Sequence, residues 1–208
     1  MLSSMSRSRT RPSREDTRDR LFAAAAAVFV RVGIGAASVE DIALEAGLTR
    51  GALYSNFRNK DDLVMAMIDD HFERNMDEVE RLLSMSSSPT EYLELMESPQ
   101  RRREGPLAND AVLHMEFLLH ALRDPANRAR LAAHQHRWRE IVTALVERDA
   151  EVLGIAPPMT PSDAAEMILA MDNGYLLQQL LEPGSYREGT MTRHLLTLQR
   201  LWKASAAT

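Results

Sequence analysis

Residues 38–57 read Ser-Val-Glu-Asp-Ile-Ala-Leu-Glu-Ala-Gly-Leu-Thr-Arg-Gly-Ala-Leu-Tyr-Ser-Asn-Phe, two helix starts separated by a glycine turn. Ser38 has the character of an N-cap, with Asp41 as its third-position acid, and the helix it opens runs to Ala46 before Gly47. Thr49 caps a second short helix, over about 49–57, that ends near Phe57. In a helix-turn-helix the two helices cross closely, so a small residue is needed at the crossing and a glycine helps at the turn. Ala43 and Gly47 stand where those needs fall, and Ile42, Ala46, Leu48, Leu53 and Phe57 supply apolar contacts.

The second helix sorts into two faces. Leu53 and Phe57 belong to a core, while Arg50 and Tyr54 share another side with Gly51 and Ser55. That outer side offers a guanidinium, a phenol, a hydroxyl and a bare backbone position, a set suited to phosphate and base-edge contact. A glycine inside a short helix costs up to about 1 kcal/mol relative to alanine, and close approach of a duplex to the backbone at Gly51 accounts for that cost. Lys60, one of only two lysines, opens the next helix, where the dipole does not favour a cation; an external phosphate accounts for it. The plainer reading of the same residues is a three-helix subdomain with a polar face.

Outward from this segment the chain is helical on both sides. Ser13 with Asp16, followed by Leu21, Ala24, Ala25, Val28, Phe29 and Val32, predicts a helix over about 14–32 that stops at Gly33. Residues 1–13, with Arg7, Arg9 and Arg11, read as a basic disordered arm. Asn59 caps a long helix with Asp61 and Asp62 in its first turn, broken by Ser84–Pro89. Helices follow near Thr90–Glu97, Ala108–Arg123, from Asp124-Pro125 to about Leu153, from Thr160-Pro161 to about Leu181, and from about Thr190 to Lys203. Between the first two of these, Arg101-Arg102-Arg103 lies in a polar loop. The expectation is an all-α fold of about nine helices, with an N-terminal three-helix unit over 14–60 and a helical domain over 61–208.

Composition agrees with that class and narrows the function. The 208 residues contain no cysteine, which excludes a disulfide framework, a thiol nucleophile and Cys-ligated metals. Alanine and leucine far outnumber valine and isoleucine, a helix-forming choice. The net charge of −5 is the sum of +4 over residues 1–60 and −9 over the remainder, so the acidic average conceals a basic N-terminal quarter suited to nucleic acid. The apolar run Leu21–Val30 behind an arginine-rich leader has some features of a signal peptide, but Glu15, Asp16 and Asp19 in the leader argue against export. No run approaches the roughly 18 residues of a membrane span, and a cytoplasmic location is expected.

Thr17-Arg18, Phe29, Gly33, the whole of Ser38–Phe57 and Lys60-Asp61-Asp62-Leu63 closely resemble the tetracycline-repressor (TetR/AcrR) family. The resemblance covers about residues 14–70, and beyond it only the length, the helix count and Asp172-Asn173-Gly174 followed by leucines are family-like. It implies that Ser38, Thr49, Tyr54, Asn56 and Lys60 hold phosphates, and that Arg50, Gly51 and Ser55 approach bases, with Arg50 directed at guanine. Asn56 departs from the histidine common in the family, though amide and imidazole can both donate to phosphate. The arm's arginines either enter a minor groove or remain a solvated tail.

The C-terminal helices offer a dimer surface and a ligand site. Leu176, Leu177, Leu180 and Leu181, and then Leu195, Leu196, Leu198, Leu201 and Trp202, make two helices apolar on more than one side, which calls for one partner inside the subunit and one outside. The expected interface uses Leu176, Leu180, Leu195, Leu198 and Trp202. Met67, Phe72, Met76, His114, Phe117, Met167, Met171 and Tyr175 are the candidate lining of a cavity for a small apolar effector, methionine being suited to varied apolar guests; plain core filling is the alternative for any one of them. His134 and His136 diverge on a helix, and His136 with Glu140 lacks a third ligand, so neither metal nor cofactor is expected. No catalytic motif is present, and no enzyme activity is expected. The expected function is a homodimeric repressor that binds a palindromic operator in double-stranded DNA and is released by the effector. The competing readings are a helical ligand-binding protein or enzyme without DNA function, and a DNA-binding protein without an effector.

Overall fold

A computed structural model describes residues 13–98, 111–155, 157–184, 187 and 189–205. The expected basic arm, apart from Ser13, and the Arg101–Arg103 loop lie outside those residues. Among the described residues there are nine helices and no strand: α1 (Arg14–Ala36), α2 (Val39–Glu45), α3 (Arg50–Tyr54), α4 (Lys60–Met85), α5 (Pro89–Met96), α6 (Ala111–Leu122), α7 (Pro125–Leu153), α8 (Pro161–Leu181) and α9 (Thr190–Ser205). The all-α expectation holds. Packing divides the chain into two units within α4, between Met67 and Ile68.

The first unit is set by its helix starts. Ser13 Oγ accepts from Asp16 N at 2.9 Å while Asp16 accepts from Ser13 N at 2.9 Å, a reciprocal capping box that holds the Asp16 carboxyl below its usual range. Ser38 and Asp41 repeat the arrangement at α2. Leu21, Phe22, Ala24, Ala25, Val28 and Phe29 form the buried stripe of α1, and Phe22 stacks on Phe57 with ring centroids 5.8 Å apart. Each of the larger side chains, Leu21, Phe22, Val28 and Phe29, contributes about 1.5–3 kcal/mol on burial. At the expected stop, Gly33 leaves helical geometry (φ 80, ψ 154), yet one further turn follows to Ala36.

Gly47 makes the turn between α2 and α3. Its φ of 61 is left-handed, and the paired bonds Leu48 N to Ala43 O (2.9 Å) and Gly47 N to Leu44 O (3.0 Å) close α2 as a Schellman motif. Arg20 Nη2 donates to the last carbonyl of that turn, Ala46 O, at 2.7 Å. The second short helix is shorter than its expected span of 49–57. Ala52 O accepts from Ser55 Oγ and from Asn56 Nδ2, each at 2.8 Å, and Asn56 N turns instead to Leu53 O at 2.9 Å. Side chains thus take the carbonyl that the next helical N–H needs, and α3 ends at Tyr54.

The second unit packs two apolar clusters. Val79, Leu82, Tyr92 and Leu93 are joined by Trp138, Ile141, Leu145 and Leu195; Val146, Ile155, Ala164 and Trp202 are joined by Met167, Ile168 and Leu198. Asp124 caps α7 ahead of Pro125, and Thr160 caps α8 ahead of Pro161, as their sequences indicate. The α5 cap is Ser88, with Pro89 at the first helical position, one residue before the expected start. No helix among the described residues is long and apolar enough to cross a membrane.

Candidate nucleic-acid interface and effector cavity

On the outer side of α3 the exposed groups are few. Thr49 Oγ1 accepts from Ala52 N at 3.2 Å, which caps the helix and leaves the hydroxyl proton to be donated outward. Arg50 is held across the motif by Glu40 of α2, with Nη1 to Oε1 at 2.8 Å and both side chains more than half exposed. Tyr54 is 48% exposed. Gly51 is exposed too, and a Cβ added there would meet nothing nearer than Thr49 Oγ1 at 3.7 Å. The local fold therefore has room for a side chain at Gly51 and takes none.

Four other residues singled out in the sequence are committed elsewhere. Ser38 Oγ accepts from Asp41 N at 3.0 Å and donates to Asp41 Oδ2 at 2.5 Å; this, with the Ser38 backbone N–H, holds the Asp41 carboxyl below its usual range. Ser55 and Asn56 direct their donors at Ala52 O, and the second amide proton of Asn56 lies toward Ser55 Oγ at 3.3 Å. Lys60 is the clearest correction. Its Nζ donates to Ile34 O and Ala37 O at 2.8 Å and to Gly35 O at 3.4 Å. The ammonium has three donors, and all serve the orphan carbonyls at the end of α1. No phosphate is needed to explain a cation at the start of α4. Glu40 was missed, because its approach to Arg50 spans the turn and follows no helical spacing.

Two adjoining cavities lie in the second unit. The first, of about 170 Å³, is walled by Val142, Leu145, Ile168, Leu198, Trp138 and Trp202, with Asp149 among its few polar groups. Burial raises the Asp149 carboxyl against the lowering effect of Arg148, whose Nη2 lies 2.8 Å away. The second, of about 360 Å³, includes Phe72, Asn75, His114, Gln135, Tyr175 and Arg187. Met96, Trp138, Leu169, Asp172 and Met191 line both.

A polar cluster backs the second cavity. His71 is buried; desolvation, then His114 and Arg74, push it down to about 4, so it is neutral near pH 7. Its ring sits 5.7 Å from that of His114, which burial also lowers. His134 stacks on Phe72 at 4.8 Å and bonds Asp69 at 2.8 Å, the carboxylate that also receives Arg130. Tyr175 and His194 are hydrogen-bonded. No group of three or more metal-ligating side chains occurs among the described residues.

Of the eight expected lining residues, Phe72, His114 and Tyr175 line a cavity. The other five line neither of these two cavities. Met67 is buried in the first unit, Met76 and Phe117 are buried core residues, Met167 packs on the Trp202 cluster, and Met171 is half-buried. From α8 the second cavity takes Leu169, Asp172, Asn173, Tyr175, Leu176 and Gln179, so of the Met167–Met171–Tyr175 row only Tyr175 reaches it. The expected dimer set needs the same correction. Leu176 lines the second cavity, and Leu195, Leu198 and Trp202 line the first, so they turn inward; Leu180 is half-buried. Among the described residues of α8 and α9, the leucines left exposed are Leu177, Leu181 and Leu201. On α8, apolar all round, spacing shows no preferred side, and neighbours decide which side is covered.

Residues 21–67 match the model of bacterial regulatory proteins of the tetR family, and residues 93–200 match the C-terminal model of BetI-type transcriptional repressors. The chain is 39% identical over 83 residues to the regulator TtgR of Pseudomonas putida, a match spanning 36% of this chain and 40% of that relative. It is 34% identical over 76 residues to the repressor KstR2 of Mycolicibacterium smegmatis, spanning 36% of this chain and 37% of that protein. Among solved structures, a TetR-family regulator from Agrobacterium tumefaciens superposes with a TM-score of 0.71 at 21% identity, over 90% of this chain and 98% of that one. A transcriptional regulator from Saccharomonospora viridis, solved in complex with choline, superposes with a TM-score of 0.73 at 18% identity, over 88% and 95% of the two chains. At these identities the superpositions establish the shared fold.

Proposed function

This chain belongs to the tetR family of bacterial regulatory proteins, and from that premise we propose that it is a cytoplasmic, homodimeric repressor that binds a palindromic operator and leaves it when a small molecule fills the cavities of the second unit. The observation that carries the DNA-binding part is the outer side of α3. There Thr49, Arg50 and Tyr54 stand exposed around a glycine whose missing side chain the fold itself does not require. Arg50 reads guanine, Tyr54 and Thr49 donate to phosphates, and Gly51 admits the duplex backbone. Ser38, Ser55 and Asn56 keep the two helices in shape by capping, and Lys60 ties α4 to the end of α1.

One such motif makes a small interface, so two copies related by a two-fold axis place their α3 helices in successive major grooves, about one helical turn apart. The exposed Leu177, Leu181 and Leu201 supply apolar surface for the second copy. Release acts through differential affinity of the small molecule for two arrangements of the dimer. α4 is the physical link, a continuous helix with Lys60 at its start and Phe72 and Asn75 against the second cavity. Replacing Arg50 and Tyr54 together with alanine is expected to abolish sequence-specific retention of DNA while sedimentation still reports a dimer. Retention equal to the unaltered protein's would remove α3 as the reading element.

A further inference from the structure

Asn75 stands apart from the other cavity residues. Its Nδ2 lies 3.2 Å from His71 Nε2. With His71 neutral in its buried site, the amide, placed with Nδ2 toward the ring, donates to Nε2 in the tautomer that carries its proton on Nδ1, and Oδ1 is the amide's other end. Oδ1 is buried and has no hydrogen-bond partner, and the same side chain lines the second cavity. A buried acceptor left unmatched costs about 1–3 kcal/mol, and native structures seldom leave one without a reason. Beside it are His114, neutral for the same reason of burial, and the ring of Phe72. Beyond Trp138 the adjoining cavity is mostly apolar, with Asp149, Asp172 and Gln199 as its polar side chains.

We infer that the effector is an amphiphile whose polar end donates a hydrogen bond to Asn75 Oδ1, while its apolar body extends past Trp138 toward Trp202. This refines the proposed effector role and rests on it. A hydroxyl or an amine serves as the donor. A carboxylate does not, having only acceptors to set against an acceptor. An effector with no donor would leave Oδ1 unpaired.

The test uses the full chain and its own reporters, since its two tryptophans both line the first cavity and Trp138 lines the second as well. Octanol, octylamine, octanoate and octyl methyl ether share one apolar body and differ at the head. Octanol and octylamine are expected to shift tryptophan emission with dissociation constants about tenfold or more below those of the ether and octanoate, the worth of one hydrogen bond of about 1.4 kcal/mol. Asn75→Leu should erase that advantage. Asn75→Asp, which keeps an acceptor and adds charge, should favour octylamine over octanol and serves if the leucine variant does not fold. Equal binding of the ether or octanoate, or an advantage that survives Asn75→Leu, would overturn the inference while leaving the cavity as the effector site. Failure of all four to alter emission would overturn the inference together with the effector reading.

Discussion

Substituting Gly51 with alanine separates what the fold needs from what DNA needs. The new Cβ would lie 3.7 Å from Thr49 Oγ1, ordinary van der Waals contact, with nothing else within 4 Å. Gly51 is the second residue of α3, and its backbone is not in the left-handed region. Alanine at such a site stabilises by about 0.4–1 kcal/mol, chiefly by restricting the unfolded chain. For a chain of this size that raises Tm by about 1–4 °C. At the DNA surface the same methyl enters the space reserved for the duplex. Overpacking of one group costs about 1–3 kcal/mol, a loss of about fivefold to over a hundredfold in affinity. Thermal melting of the free protein and fluorescence anisotropy with a labelled operator duplex read the two effects separately. A variant more stable and unchanged in DNA affinity would refute the close approach. A variant that melts lower would show that the fold itself requires the glycine.

Lys60→Met should cost about 1.5–3 kcal/mol in urea unfolding, because it strips charged donors from Ile34 O and Ala37 O. It should leave the salt dependence of DNA binding unaltered; a shallower slope would restore Lys60 as a phosphate contact. Glu40→Gln should change stability by less than about 1 kcal/mol, the exposed pair with Arg50 being screened. It should raise affinity for duplexes of any sequence at low salt, and a drop in specific affinity would show instead that Glu40 orients Arg50. His71 titrates near 6.5 when unfolded and at about 4 in its buried site, so the unfolded chain takes the proton first as pH falls. Its contribution is fully present above pH 6.5 and lost towards pH 4, with about 2 kcal/mol gone by pH 5. His71→Met should flatten that slope in urea midpoints measured from pH 7.5 to 5, and an unchanged slope would mean the ring titrates normally.

Helix starts were legible because they are local: Ser13, Ser38, Thr49, Asp124 and Thr160 each cap the helix their sequence announces. The face of α3 carrying Arg50, Gly51 and Tyr54 was legible for the same reason, since helical spacing alone groups those residues. What escaped depends on partners distant in sequence. Lys60 answers carbonyls 23 to 26 residues away, and a charge at a helix start does not reveal that demand. Asn56 shortens α3 through a side-chain bond that competes with the helix. The methionines and leucines of α8 lie on every side, so their spacing could not show which face meets the cavities and which meets solvent. Asn75 is a polar residue on an amphipathic helix and carries no mark in the sequence; only its unmatched oxygen beside a cavity singles it out.

The central claim is that two copies of the α3 face read DNA together. Selection of the purified protein against a pool of random duplexes, followed by sequencing of the retained fraction, tests it most directly. The account predicts an enriched inverted repeat with half-site centres about one helical turn or a multiple of it apart, and no enrichment with the Arg50→Ala, Tyr54→Ala protein. Retention without sequence enrichment, or the same enriched site for both proteins, would contradict it.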